Sequence, residues 1–195
     1  MAAPADSGPS GAADPAARAG INIRASQPAD IAQITEIYAH AVRFGTASFE
    51  VDPPDADEMA RRRQILLEGG YPYLTAERDG AVLGYAYAGP YRARKAYRFT
   101  VEDSVYVAAP AHRQGLGRAL LTQLIAEAER GGFRQMIAVI GDSAQTASIA
   151  LHYAAGFELA GTLRAVGFKH GHWLDTVLMQ RRLAPGGTTP APDAT

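Results

Sequence analysis

The chain contains no cysteine. That excludes disulfides, thiolate zinc sites and a cysteine nucleophile, and it fits a cytoplasmic protein. No apolar run approaches the roughly 20 residues of a membrane-spanning helix, so no membrane partner is expected. Excess charge is missing too: 19 Lys and Arg against 20 Asp and Glu leave a net charge of −1. Such a balance gives no strong pull toward nucleic acid or an anionic surface. The 5 histidines include no pair at ligand spacing on a helix, and no glutamate stands at such a spacing, so no metal is expected. Internal repeats and heptads are absent.

What remains is an ordinary globular composition. Of 195 residues, 47% are hydrophobic and 20% charged, enough for one domain with a sizeable core. Residues 1–20 are rich in Ala, Pro, Gly and Ser. With no basic n-region and no long apolar stretch they do not read as a secretory signal. The segment from Ala184 is similar in composition. The expectation is a disordered tail over 1–20, a domain over 21–183 and a second disordered tail over 184–195.

Ile21 to Arg24 alternates and reads as a strand. Ser26 or Asp30 can cap a helix whose apolar positions Ile31, Ile34, Ile37, Tyr38 and Val42 recur at helical spacing. Asp55 to Leu67 reads as a second helix, acids first, with Arg61-Arg62-Arg63 as a solvated face. Tyr73 to Glu77 and Val82 to Ala88 are strands joined by the hairpin turn Asp79-Gly80, and Gly89-Pro90 breaks the second. Thr100 to Val107 is the next strand and Gly117 to Arg130 a helix. Gln135 to Ile140 is a near-continuous apolar run, as in a strand covered on both faces. Thr146 to Ala155 is a short helix, and two strands follow, within Phe157–Phe168 and over Trp173–Leu183. The order β-α-α-β-β-β-α-β-α-β-β predicts a mixed α/β sheet with one strand–helix–strand crossover.

That crossover begins at His112-Arg113-Gln114-Gly115-Leu116-Gly117-Arg118. A strand, a Gly-x-Gly turn and a helix N-terminus make an anion site. The orphan N–H groups and the positive end of the helix dipole point at it, and glycine lets a phosphate approach closely. Alone, Gly-x-Gly also fits an ordinary turn before a surface helix.

With these elements in place the chain resembles the Gcn5-related N-acetyltransferases (GNAT) over residues 21–183. The coenzyme turn of that family reads Gln/Arg-x-x-Gly-x-Gly/Ala; here it is His112 to Gly117, so the first position departs from the pattern. Gly89-Pro90-Tyr91-Arg92-Ala93-Arg94, Phe99-Thr100-Val101-Glu102 and Gly167 to Trp173 are similar to phosphinothricin N-acetyltransferases. Trp173-Leu174-Asp175 is similar to methionine sulfoximine/sulfone acetyltransferases as well. The resemblance implies an α/β (α+β) fold with a mostly antiparallel sheet of about seven strands and about four helices. It also implies an acetyl-CoA-dependent enzyme acting on a small amino-acid analogue, phosphinothricin or methionine sulfoximine/sulfone, and a homodimer.

Acetylating an amine requires its deprotonation first. Strand parity sets Glu102 with Ser104 and Tyr106 on one face, and Val101, Asp103, Val105 and Val107 on the other. The resemblance points to Glu102 as the general base; a salt-bridged surface glutamate is the bland alternative, and Asp103 is the rival if a β-bulge reverses the parity. His152 is the second candidate: an acid for the departing thiolate, an aid to amine deprotonation, or a histidine packed near the core. Arg92, Arg94 and Tyr97 are expected to bind the substrate anion, with Lys169, His170 and Trp173 as further candidates; His170 and His172 also suit a turn. Coenzyme contacts are expected at Val105, Tyr106, Val107, at His112 through Arg118, and at Gln145 and Ser148. A non-catalytic acyl-CoA-binding module and an acetyltransferase for a protein N-terminus or lysine are the competing functions.

Overall fold

A computed structural model describes residues 20–190. The expected N-terminal tail, but for Gly20, and the last five residues of the expected C-terminal tail lie outside them. Seven strands form one sheet: β1 (Asn22–Ala25), β2 (Tyr73–Arg78), β3 (Ala81–Pro90), β4 (Thr100–Val107), β5 (Gln135–Gly141), β6 (Glu158–Lys169) and β7 (His172–Arg182). Four helices cover it: α1 (Ile31–Phe44), α2 (Ala56–Glu68), α3 (Leu116–Arg130) and α4 (Thr146–Ala154). The spatial order is β1-β2-β3-β4-β5-β7-β6, and among the described residues only the β4–β5 pair is parallel. That pair is the crossover expected around α3. Among the described residues no helix is long and apolar enough to cross a membrane.

Each sheet face buries its own cluster. On one face Leu120, Leu121 and Leu124 of α3 pack with Val101, Met136, Ala138, Val177 and Met179. On the other, Ile34, Tyr38 and Val42 of α1 and Met59 of α2 meet Tyr73 and Tyr85, with Tyr87 and Tyr106 alongside. The tyrosine rings stack in sequence across the strands, Tyr73–Tyr87 at 5.2 Å and Tyr85–Tyr106 at 5.2 Å. The alternating pattern of β3 and β4 thus sorts alanines and valines to α3 and tyrosines to α1 and α2.

Several local expectations change. Asp30 and Ser26 do not cap α1 with their side chains. Asp30 instead accepts both Arg24 nitrogens, at 2.7 and 2.8 Å, and the Gln27 N–H at 2.7 Å, which locks the chain entry beside β1. Ser26 takes the Arg63 Nε–H at 2.7 Å. Arg63 is therefore buried rather than solvated, because it follows Met59 by one helical turn on the inward stripe of α2. Arg62 pairs with Glu50 at 2.6 Å and Glu58 at 2.7 Å.

Gly89-Pro90 does not end β3, which pairs through Pro90↔Val101. The β2–β3 register stops at Tyr73↔Tyr87 and Ala88 N–H still donates to Pro72 O at 3.0 Å, so Pro90 lies past the last of these contacts, the setting in which a strand tolerates proline. β5 is covered on one face only: Met136, Ala138 and Ile140 are buried, but Val139 is 37% exposed. Residues 184–190 are not a free tail; they form turns in which Gly186 O and Thr189 Oγ1 accept from Arg134 Nη1, both at 2.9 Å.

β3, β4 and α3 converge at Gly84. A Cβ there would lie 2.8 Å from Tyr106 O and 3.2 Å from Leu120 Cδ1. Gly84→Ala is expected to destabilise the fold by about 1–3 kcal/mol through overpacking. Differential scanning calorimetry checks it, and an unchanged melting temperature contradicts the close packing of β3 on α3.

Candidate active site

β4 and β5 pair only from Thr100↔Gln135 to Asp103↔Ala138. Both strands continue, β4 to Val107 and β5 to Gly141. Past Asp103 the two strands part, and their facing backbone groups have no ladder partner. An unpaired strand edge can take an extended ligand as an added strand. Val105, Tyr106 and Val107 all lie on this stretch.

The turn at His112–Gly117 closes the same end. Gly115 is the N-cap of α3 and sits in the left-handed region at φ 82°, which a side chain would strain. Arg113 is also left-handed at φ 60°. Intrahelical bonding begins with Ala119 N–H to Gly115 O at 3.0 Å, so the N–H groups of Leu116, Gly117 and Arg118 precede the ladder. A Cβ on Gly117 would meet only Leu151 Cδ2 at 3.5 Å and Val107 Cγ2 at 3.9 Å, ordinary contacts. The protein's own packing therefore does not demand glycine at 117. His112, the departure from the family pattern, turns inward: its Nε2 donates to Val107 O at 2.9 Å. Gln114 likewise donates to Pro110 O at 3.2 Å. Two side chains of the turn thus brace its backbone.

Glu102 is half-buried on β4, paired with Gly89 and Ile137. The β3–β4 register runs without a shift from Gly84↔Val107 to Pro90↔Val101, so no bulge reverses the parity. Glu102 therefore shares the tyrosine face with Ser104, and Asp103 faces α3 and α4. Burial, and next the negative charge of Asp103, push the Glu102 pKa above its ordinary 4.5, while Arg92 pulls the other way. A carboxylate with raised proton affinity on a rigid strand is suited to general base work near neutral pH.

Arg92, Arg94 and Tyr97 lie on the loop that leaves β3. Arg92 is exposed, with its guanidinium 5.0 Å from the Tyr91 ring centre, and its charge reaches Glu102. Tyr97 packs edge-on against Tyr91 at 5.7 Å and is 41% exposed. Arg94 is exposed and precedes the short turn Lys95–Tyr97.

His152 does not join Glu102. It lies on α4, buried, with Nδ1 2.7 Å from Ser148 O and Nε2 3.0 Å from Asp103 Oδ2. Both ring nitrogens are engaged inside the protein, on the sheet face opposite Glu102. Ser148 contributes its carbonyl to this contact. Gln145 also turns inward, donating from Nε2 to Thr46 Oγ1 at 2.9 Å. Thr46 in turn donates to Asp142 at 3.0 Å, which straps the loop after α1 onto the end of β5.

The further candidates separate. Lys169 is buried and donates to Ser48 O at 2.7 Å; burial lowers its pKa and Glu50 opposes that. His170 is a left-handed turn residue at φ 51°, and its carbonyl is 2.6 Å from His172 Nδ1. Trp173 is 68% exposed and packs edge-on against Phe168. Asp175 accepts from Ala165 N, Ser143 Oγ and Arg164 Nη1 at 3.0, 2.8 and 3.1 Å, so its role is structural.

Sequence reasoning missed Glu50, Arg62 and Ser48. Arg62 and Glu50 act electrostatically on Tyr87, which also shares its environment with Glu102 and Ser104. Their signal was weak: an acid in a loop and one arginine among three. The tie between Asp103 and His152 was missed too, since it joins residues 49 apart.

Comparison with known proteins places this geometry. The acetyltransferase (GNAT) domain family model matches residues 23–178. A phosphinothricin N-acetyltransferase from Alcaligenes faecalis is 58% identical over 173 residues, 89% of this chain and 88% of that protein. An L-methionine sulfoximine/L-methionine sulfone acetyltransferase from Salmonella typhimurium is 44% identical, covering 89% of this chain and 99% of that one. The crystal structure of a GNAT superfamily phosphinothricin acetyltransferase from Sinorhizobium meliloti, in complex with AcCoA, superposes with a TM-score of 0.87 at 48% identity, over 90% of this chain and 95% of that one. The family model and these relatives span nearly the whole described domain, and the chain belongs to the GNAT acetyltransferase family.

Proposed function

We propose that this enzyme acetylates the amino group of a small anionic amino-acid analogue, phosphinothricin or a close relative, with Glu102 as general base. It is an acetyltransferase that uses acetyl-CoA. In this reading the pyrophosphate rests on the N–H groups of Leu116, Gly117 and Arg118, where the helix dipole favours negative charge. Pantetheine runs along the unpaired edge of β4 past Val107 and Val105, which brings the thioester toward Glu102. The first amide of that arm competes with His112 for Val107 O.

The observation that carries the proposal is Glu102 on the tyrosine face, where β4 and β5 part, with Arg92 acting on it. The substrate ammonium has no lone pair until it loses a proton. Glu102 removes that proton. The amine then attacks the thioester carbonyl, and the tetrahedral intermediate collapses with cleavage of the C–S bond; the second proton lost from the nitrogen ends on the departing coenzyme thiolate. Arg92, Arg94 and Tyr97 receive the carboxylate and the second anionic group, because arginine grips either one bidentately. Arg62 lies where it can add a third cation to the same face.

A second reading, acetylation of methionine sulfoximine or sulfone, is favoured by the 44% identity to the Salmonella typhimurium protein. Both readings keep a small zwitterionic acceptor. A pure acyl-CoA-binding module needs no carboxylate of raised proton affinity at the cleft, and an acceptor lysine on a protein does not need the arginine loop.

The protein is proposed to act in the cytoplasm as a homodimer. The β6–β7 hairpin exposes Leu163, Val166, Phe168 and Trp173, each at least 50% accessible, and apolar residues grouped on one surface element suit a protein contact. Sedimentation equilibrium is expected to give twice the chain mass, and Trp173→Glu to shift it toward the monomer; a monomeric wild type refutes the dimer.

Glu102→Gln is expected to lower kcat/KM at pH 7 by about 10²–10⁴ while acetyl-CoA affinity stays within about twofold. In the wild type the rate rises with pH through the raised Glu102 value, because only the deprotonated carboxylate accepts the proton. Steady-state kinetics with near-wild-type turnover in Glu102→Gln would remove Glu102 as the base. Gly117→Val is expected to leave the melting temperature nearly unchanged and abolish acetyl-CoA binding in calorimetric titration; normal affinity places the pyrophosphate elsewhere.

A further inference from the structure

The strongest feature that the proposed chemistry leaves unused is the buried pair on the far face of β4. The side chains of His152 and Asp103 are 5% and 1% exposed. His152 Nδ1 faces a backbone carbonyl, Ser148 O, which can only accept. Its Nε2 faces the Asp103 carboxylate at 3.0 Å. Two acceptors call for two ring N–H groups, so the geometry fits an imidazolium against a carboxylate. Asp103 Oδ1 has no hydrogen-bond partner and is fully enclosed, which leaves the ring as the anion's main compensation.

The place of the pair gives it a use. Asp103 is the last β4 residue paired with β5. α4 follows β5 through the loop 142–145. The chain from β5 through α4 to His152, and back across the hydrogen bond to Asp103, is therefore a closed ring that spans the point where the strands part. One residue before His152, the Leu151 side chain lies 3.5 Å from the position a Gly117 Cβ would take. Whatever holds α4 thus also sets the wall beside the glycine turn.

We infer that Asp103 and His152 are a charged positioning pair that clamps α4 against β4 and fixes the width of the acetyl-CoA cleft, rather than a proton donor to the departing thiolate. The inference rests on acetyl-CoA binding in this cleft, but not on Glu102 being the base.

The surroundings isolate the pair. β3 presents Ala88 opposite Asp103, β5 presents Met136 and Ala138, and β7 presents Met179 and Arg181. The Arg181 guanidinium is taken by Ala155 O. α3 faces this cluster with Leu120, Leu121 and Leu124, and the Phe157 ring meets the imidazole edge-on at 4.9 Å. On β4 itself Glu102 lies on the opposite face. Burial opposes charging the ring, but the Asp103 carboxylate and Ser148 O outweigh it and raise its pKa above 6.5. The sign follows: what the charged pair contributes is complete below the ring's unfolded pKa and is lost as pH rises through the raised folded value.

The test starts on the wild type. Nitrogen-15 NMR of the histidine rings is expected to show both His152 nitrogens protonated at pH 7, as the two facing acceptors require, with deprotonation above 6.5. A singly protonated ring at pH 7, including a neutral ring facing a protonated Asp103, overturns the inference. Asp103→Asn then removes the charge and keeps the shape: the amide donates to Nε2 of a neutral ring whose Nδ1–H stays on Ser148 O. Calorimetry is expected to give an acetyl-CoA Kd about tenfold weaker, a coupling of ordinary size between two parts of one structure. The wild-type loss of affinity at alkaline pH is expected to disappear in this variant. Wild-type Kd in Asp103→Asn, or a fall in kcat with unchanged Kd in His152→Asn, overturns it. Failure of the wild type to bind acetyl-CoA at all would instead sink the cleft reading itself. If Asp103→Asn does not fold, the ring protonation and its pH titration in the wild type still decide.

Discussion

The β4–β5 ladder holds for four residue pairs and then stops at Asp103↔Ala138. Much of the proposed chemistry depends on that stop. An unbroken sheet would spend the backbone groups of Ser104 to Val107 on β5 and leave none for a ligand. Parted strands leave a partly buried edge inside a folded domain. The parallel pairing is what places α3 between the two strands in sequence, so the N-terminus of a helix arrives at the mouth of the gap. Anion site and strand edge are thus consequences of one topological choice.

The two faces of β4 then divide the labour. Toward α1 and α2 the strand presents Glu102, Ser104 and Tyr106 among stacked tyrosines; toward α3 and α4 it presents Val101, Asp103 and Val105 within the apolar core. Neighbouring carboxylates consequently live in different environments. Glu102 keeps access to solvent and to Arg92, while Asp103 is enclosed and matched by His152. Their charges still interact through the strand, and Asp103 adds to the proton affinity of Glu102. The loop after α1 completes the tyrosine side. Thr46 reaches Gln145 and Asp142, and Ser48 O receives Lys169, so this loop is tied to the end of the sheet where β5 finishes and β7 begins.

Much of this was legible in the residues. β4 was read over its full length because Thr100 to Val107 alternates cleanly, and the face of Glu102 followed from parity alone. The glycine turn was legible as Gly-x-Gly between a strand and a helix, and the structure adds that Gly115 takes a left-handed backbone. Three things were not. The coverage of β5 was misjudged, since an apolar strand at an exposed face and one buried on both sides share a sequence. Arg63 was misread with its two neighbours, although its place one turn after Met59 marked it as inward. Gln145 was assigned a coenzyme contact from its position in a motif and His152 was left between a catalytic and a packed role, because their partners, Thr46 and Asp103, come from distant parts of the chain that only the fold brings near.

The central claim, acetyl transfer to the amine of a small anionic amino acid at this cleft, is met most directly by following thiol release from acetyl-CoA. Phosphinothricin, methionine sulfoximine, methionine sulfone and a lysine peptide would be offered in parallel to the full-length protein. The account predicts saturable release with at least one of the three small acceptors, kcat/KM at least about a hundredfold above that for the peptide, and a matching N-acetylated product by mass spectrometry. Release driven by the peptide alone, or by none of the four while acetyl-CoA still binds, would contradict it.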